Sequence, residues 1–532
     1  MLVATKPIMI AIRDSSHRDT PVAESDCSMD GGFCLVKNDI FSFDDSPIVE
    51  SDCQTKESLH LVEGDCLYLD DGFVLDQPTS DRGEATIYTR PALHIDALAQ
   101  DFSLAFNPFG QAGVVVLNRT ALTLLNAFQQ PRTLTEGARL IGEPARSLDA
   151  ARRLAELGLL VPVGSTPALR RSAPQTLTAW LHLTNACNLR CDYCYIHKTP
   201  DAMEVERGCQ SIEAVFRSAI ANGFRRVKLK FAGGEATLNF PLVLALHDHA
   251  RVLAAQRGLG LDGVVLSNGV ALTNRMINEL QARGLRLMIS LDGVGEYHDA
   301  QRHFANGRGS FAHVERALDR LAGHDFKPSI SITVSNHNLA GLPAVVDYVL
   351  RRELPFKLNF YRENDCSASF TDLAYSDEAI IAAMKEAFAV IETNLPPYSL
   401  LEALVDLARL DTPHDRTCGV GHSYMVIDQR GGVAKCQMEI EQTITDISVA
   451  DPLAVIRADA VGIRNYSVDE KEGCRECMWR YWCAGGCPAL TYRVTGRFDV
   501  KSPNCRIYKA LFPEVLRLEG LRLLKYSGVV AA

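Results

Sequence analysis

The sequence predicts an α/β chain: a partial (β/α)6 TIM-like barrel, a winged-helix domain before it, and a loop-rich, cysteine-bearing domain after it. Three observations carry that prediction. Between residues 178 and 363, short apolar runs of β type alternate with helical stretches, the pattern of a parallel sheet with crossover helices. Residues 85–165 read as strand, helix, turn and helix. Cysteines gather in tight groups at 187–194 and 418–505.

Residues 1–84 form an acidic arm, rich in Gly, Asp and Ser and holding four cysteines. Runs at 40–43 and 66–69 are β-like between turn residues, so hairpins or partial disorder are expected. Glu24-Ser25-Asp26-Cys27 recurs as Glu50-Ser51-Asp52-Cys53, which is too little for a solenoid. Either the arm mimics or regulates a peptide substrate, or it is a solvated acidic tail. In 85–165, a strand at 114–117 leads to a helix near 120–128, a turn at 129–132, a Thr135 cap and a periodic helix over 148–157 that stops at Gly158. Residues 166–177 read as a linker. The barrel occupies 178–370, with strands expected at 179–183, 227–231, 263–266, 285–290, 329–334 and 356–360. A helical bridge over 371–410 leads to the cysteine domain at 411–532, which ends in an amphipathic helix over 507–524.

At 532 residues the chain is long enough for several cores. No apolar run approaches the roughly 18 residues of a membrane span, and the N-terminus lacks a signal-peptide pattern, so no membrane partner and a cytoplasmic location are expected. In that compartment the 16 cysteines are reduced, and clustered ones read as ligands for metals or clusters. The net charge of -10 is concentrated in the arm, where acidic residues outnumber basic ones by roughly ten over 76 positions. With no basic stripe, no nucleic-acid partner is expected.

The chemistry sits first in Cys187-Asn-Leu-Arg-Cys191-Asp-Tyr-Cys194-Tyr195, just after the first barrel strand. Three close thiolates can hold three irons of a [4Fe-4S] cube and leave the fourth open to a substrate. A zinc site is the alternative, but it pairs two such elements or adds a histidine, and none stands at suitable spacing. The segment resembles the signature of the radical S-adenosylmethionine (SAM) superfamily. That resemblance implies that Tyr195 lies against adenine and that Gly233-Gly234-Glu235, after the second strand, engages the methionine amino group. Here Ala236 stands where the family usually has Pro. Ser267 and Asn268 after the third strand, and Ser290 and Asp292 after the fourth, are similar to the family's ribose and carboxylate contacts. Arg302 resembles its partner for the SAM carboxylate. Each is also an ordinary turn residue, and their serial placement at strand ends is what points to a site.

The second constellation is Cys418, Cys436, then Cys474-x2-Cys477-x5-Cys483-x3-Cys487, then Cys505. With Ala484-Gly485-Gly486 between, it resembles the SPASM auxiliary-cluster domain. The resemblance implies one [4Fe-4S] cluster on Cys474, Cys477, Cys483 and Cys505, and another on Cys418, Cys436 and Cys487, the latter one ligand short. Cys366, Asp415, His414 or a substrate thiol could fill that place; Cys366 and Cys209 read otherwise as ordinary buried thiols. A zinc ribbon is the bland alternative for 474–487.

Residues 85–165 resemble the RiPP recognition element, which implies binding of the leader of a ribosomally made precursor peptide, by strand addition. A DNA-binding winged helix would need a denser basic helix than Arg146, Arg152 and Arg153 supply. Together the resemblances imply a radical SAM peptide maturase that takes hydrogen from a peptide and installs a thioether or C–C cross-link. Three [4Fe-4S] clusters, SAM and a low-potential electron donor such as flavodoxin or ferredoxin would serve it. The alternatives are a protein side-chain oxidase of the sulfatase-maturation type, and a non-enzymatic Fe–S or zinc scaffold. No general base is identified.

Overall fold

The computed structural model describes residues 85–527, apart from 100, 111, 142–143, 167 and 172, and the arm strands Ile8–Ile12, Asn38–Ser42 and Phe73–Asp76. Six parallel strands make the barrel sheet in chain order: Thr176–His182, Arg226–Ala232, Gly260–Ser267, Arg286–Ser290, Ser329–Val334 and Phe356–Phe360. Period-two alternation sorts their side chains. Val227, Leu229 and Phe231 join the core under the helices, and Lys228 and Lys230, equally buried, stand on the opposite face. The expected six-strand alternation is present, with the first strand extending earlier than 179 and the third earlier than 263.

The cysteine domain is continuous with this sheet. Tyr424–Ile427 pairs in parallel with the first barrel strand, and Gly432–Ala434 and Thr445–Asp446 follow antiparallel. A strand between Cys418 and Cys436 therefore lies beside the strand that leads into Cys187, which brings the two cysteine groups to one side of the barrel.

In the N-terminal part, Asn38–Ser42, Ile8–Ile12, Val114–Asn118, Phe102–Phe106 and His94–Ala97 form a five-stranded sheet in that order. Helices Arg119–Ala127, Leu134–Arg139 and Pro144–Glu156 follow, with a small sheet of Arg132–Thr133, Ile87–Thr89 and Val161–Pro162. Trp482 fastens this part to the cysteine domain: its Nε1–H donates to Pro108 O at 2.8 Å and its ring meets Phe106 edge-on at 4.8 Å.

Several expectations need correction. The helix cap is Thr133, not Thr135, because Glu136 stands three residues after Thr133 and closes a capping box with it. The bridge helix ends at Thr393 rather than running to 410: Pro396 and Pro397 lie just beyond, and 394–410 folds as turns. Residues 166–177 contain strand Ala168–Arg171, paired with Phe73–Asp76. Residues 40–42 of the arm's first β-like run lie in strand Asn38–Ser42, while residue 43 and the run at 66–69 lie outside the described residues.

Burial sets a pH response. His182, His414 and His422 are desolvated, and each is pushed down to about 4. The unfolded chain protonates them near 6.5 and the folded chain only near 4, so their contribution is intact above about pH 6.5 and is lost as pH falls through that window. The thermal midpoint of the chain is expected to drop between pH 6.5 and 4 more steeply than that of a His182→Gln, His422→Gln variant; equal slopes would refute the assignment.

Candidate functional site

The mouth of the barrel is built on one close backbone crossing. Gly233 N–Cα–C runs against Thr184, and Gly234 N–H donates to Thr184 O at 2.6 Å while Glu235 N–H donates to Ala186 O at 2.9 Å. A Cβ on Gly233 would sit 2.5 Å from Thr184 O, and one on Gly234 2.4 Å from Ala186 O. Only glycine lets the end of the second strand hold the segment that enters the cysteine loop. The loop's far side is tied by Arg190 N–H to His303 O at 2.7 Å and Asp192 N–H to Gln301 O at 3.1 Å.

Within that frame Cys187, Cys191 and Cys194 come together, each within the field of the others. Burial pushes the Cys191 thiol up to about 12, with Arg302 opposing, and also raises Cys187, with Lys198 opposing. The Cys187 sulfur accepts from Leu189 N–H at 3.4 Å and Asn268 Nδ2 at 3.8 Å; Lys198 Nζ donates to the Cys194 sulfur at 2.9 Å. Thiols in so dry a setting ionise only when a cation takes up the charge, which is what an iron cluster offers.

Glu235 is a hub. Its Oε1 accepts from Thr237 N–H (3.1 Å), Thr237 Oγ1 (2.6 Å) and Ser267 Oγ (2.8 Å), and its Oε2 from Asn268 N–H (2.7 Å). Oε2 thus keeps acceptor capacity for a ligand ammonium. Asp292 and Arg302 are joined rather than free: Asp292 Oδ2 accepts from Tyr193 OH at 2.6 Å and pairs with Arg302 at 3.7 Å, and Arg302 Nη1 donates to Tyr193 OH. Arg302 Nε is buried without a partner, an unused donor at the mouth. Ser290 ends the fourth strand, in register with Ser331. Tyr195 packs on an apolar cluster that includes Trp180, Cys418, Tyr424 and Cys436, so it faces the cysteine domain. These residues fit SAM in donor type: an open carboxylate oxygen, a spare guanidinium N–H and an aromatic ring around one cysteine loop.

The seven C-terminal cysteines separate into two sets. Cys474, Cys477, Cys483 and Cys505 line one cavity with Trp479, Tyr508 and Phe512. Burial raises Cys474 to about 11 and raises Cys483 further. Cys418, Cys436 and Cys487 form the other set: Cys436, fully enclosed, is raised by burial and then by Cys487 and Cys418. Asn465 Nδ2 donates to Cys418 O at 2.5 Å and approaches its sulfur at 3.6 Å. Among the described residues no three His, Cys, Asp or Glu side chains close on a single metal ion.

The residues expected to complete the three-cysteine set each have contacts of their own. Cys366 is half-buried, not buried, and sits 3.5 Å from His197 Nε2 and within the field of Cys194. Asp415 pairs with Arg416 at 3.0 Å, and His414 Nδ1 lies 3.1 Å from Thr412 O. The carboxylate whose field reaches Cys436 is Glu439. Glu439, Lys198 and Asn465 escaped the sequence reading; Glu439 follows Cys436 by three and Lys198 follows Cys194 by four, and only that proximity could have flagged them. Cys209 lies on helix Val205–Ala221, half-buried and apart from these sets.

Residues 181–347 match the family model described as the Radical SAM superfamily. A serine-type anaerobic sulfatase-maturating enzyme of Klebsiella aerogenes is 30% identical over 170 residues, 30% of this chain and 40% of that one. The antilisterial bacteriocin subtilosin biosynthesis protein AlbA of Bacillus subtilis is 25% identical over 272 residues, 50% of this chain and 56% of that one. The chain thus spans about half the length of these two relatives. The solved structure of native anSMEcpe with bound AdoMet and Cp18Cys peptide superposes at a TM-score of 0.51, with 17% identity over 66% of this chain and 99% of that one, a likeness of fold. With the three-cysteine loop at the mouth of a six-stranded partial barrel and the family's sequence pattern over 181–347, that part of the chain is a radical SAM domain.

Proposed function

We propose that this radical SAM enzyme is a peptide maturase that takes hydrogen from a ribosomally made precursor peptide and leaves an oxidative cross-link, a thioether or a C–C bond. The observation that carries the reading is the sorting of ten cysteines into three sets, one at the barrel mouth and two beyond it. Cys187, Cys191 and Cys194 would hold a [4Fe-4S] cluster which, reduced and with SAM bound, would supply the radical chemistry that removes hydrogen from carbon. Glu235 would receive the SAM ammonium on Oε2, Arg302 Nε its carboxylate, and Tyr195 its adenine, with Asn268 steadying both the Cys187 sulfur and Asn188. Asp292 and Tyr193 hold Arg302 in place for this.

A cross-link removes two electrons from the peptide, and the radical accounts for one. Cys474, Cys477, Cys483 and Cys505 would hold one acceptor cluster, and Cys418, Cys436 and Cys487 a second, completed by Glu439 or a substrate thiol. A flavodoxin- or ferredoxin-class donor would supply the starting electron. Support for a peptide substrate comes from the relatives: one serves bacteriocin biosynthesis, one matures sulfatases, and the structural neighbour was solved with a peptide. The Klebsiella likeness also supports the second reading, an oxidase of a protein side chain. Leader binding through 85–165 separates the two, since a side-chain oxidase needs no leader.

The reading is tested with a candidate ribosomally made precursor peptide. Wild type should remove two hydrogens from it per turnover, seen as a mass loss, whereas Cys418→Ala and Cys505→Ala should keep SAM cleavage and lose product by about a hundredfold, the order of effect seen when groups supporting a metal centre are lost. Undiminished product in both variants would sink the acceptor role.

Leader docking has a built-in competitor. Ile8–Ile12 pairs antiparallel with Val114–Asn118 through Met9↔Leu117, Ile10↔Val116 and Ala11↔Val115, and so covers that strand edge. A tethered strand competes intramolecularly, at an effective concentration set by the chain that joins it to its site. Deleting residues 1–42 should tighten precursor binding by about tenfold or more in fluorescence anisotropy, with SAM cleavage unchanged; unchanged affinity would mean the leader docks elsewhere.

A further inference from the structure

Lys471 is a buried lysine, 1% exposed, in the middle of the cysteine domain. It follows the short turn Val468–Glu470, and its Nζ donates to Ala484 O at 3.0 Å. Ala484 belongs to the crossover that joins Cys483 of the four-cysteine set to Cys487 of the three-cysteine set. Ala484, Gly485 and Gly486 all have positive φ, 48°, 78° and 69°, which turns the chain sharply between the sets. The lysine stem lies across that turn: a Cβ on Gly485 would come 2.6 Å from Lys471 Cδ and 2.9 Å from its Nζ. From the other side Thr417, next to Cys418, brings its hydroxyl to Ala484 O (3.0 Å) and Gly486 O (2.8 Å). Burial pushes the Lys471 ammonium below its ordinary range, and the thiols that oppose this come from both sets, Cys474 and Cys483 from one, Cys418 and Cys487 from the other. Lys509, in contrast, is exposed, lines the four-cysteine cavity and faces Cys474 and Cys505.

We infer that Lys471 is a positioning residue shared by the two auxiliary-cluster sites, a single buried counter-charge that raises the reduction potential of both and so keeps both able to accept an electron. The inference rests on the proposed reading that both cysteine sets hold clusters. Its physical basis is direct: thiolate-ligated clusters gain negative charge on reduction, and a cation held in a dry region beside them favours the reduced form. Gly485 follows from it, since any side chain there would displace the stem that delivers the charge.

The test is potentiometric titration, followed by EPR, of the full chain reconstituted with iron and sulfide. SAM addition identifies the signal of the Cys187/Cys191/Cys194 cluster. In Lys471→Met both auxiliary midpoints should move negative together, the SAM-responsive one should stay, and Lys471→Arg should restore both. Lys509→Met, as control, should move at most the four-cysteine cluster. Fully loaded Lys471→Met with both midpoints unchanged, or with only one moved, overturns the shared role. If Lys471→Met does not load, full loading of Lys471→Arg with wild-type midpoints supports a requirement for charge, and loading failure in both variants overturns it in favour of packing alone. Wild type that binds iron for one cluster instead of about twelve atoms for three removes the underlying reading itself.

Discussion

The close passage of Gly233 and Gly234 against Thr184 and Ala186 is the constraint on which the site depends. It pins the entry of the cysteine loop to the end of a neighbouring strand, so that the loop inherits the rigidity of the sheet. From the same crossing Glu235 reaches across to Ser267 and Asn268 on the third strand, and Asn268 returns to the Cys187 sulfur. Three strand ends and one thiol are thus linked through short polar contacts, most of them buried. A site on strand ends supported in this way holds its geometry better than one on free loops.

The second organising effect is desolvation. Every cysteine proposed as a cluster ligand whose ionisation is visibly perturbed is pushed up, and burial is the leading cause each time. Such thiols are inert while protonated and become strong ligands when metal takes up their charge. Basic groups are placed beside them without neutralising them outright: Lys198 at Cys194, Arg302 near Cys191, Lys471 between the C-terminal sets. The same sheet that carries the barrel strands carries Tyr424–Ile427, so Cys418 and Cys436 share an apolar cluster with Tyr195 of the first loop.

Much of this was legible in the sequence because it is local or periodic. Barrel strands announce themselves by β-type runs separated by helices, and ligand groups by cysteine spacing, so 187/191/194 and 474/477/483 needed no tertiary knowledge. What was illegible depends on chain crossings. The Thr133 cap is an exception, since Glu136 three residues on is a local signal that favours Thr133 over Thr135. Cys366 read as a buried thiol and stands instead half-exposed beside His197, because the loop after the sixth strand folds back to the first. Glu439 and Lys471 acquire meaning only when Cys436, Cys483 and Cys487 converge, and the pairing of Ile8–Ile12 with Val114–Asn118 joins segments about a hundred residues apart that share no sequence signal.

The account stands most directly on the chemistry of the three-cysteine loop. The decisive measurement is chromatography of the products when anaerobically reconstituted protein receives a low-potential reductant and SAM. The account predicts 5'-deoxyadenosine and methionine from wild type and neither from Cys191→Ala; iron-loaded wild type that leaves SAM intact would contradict it.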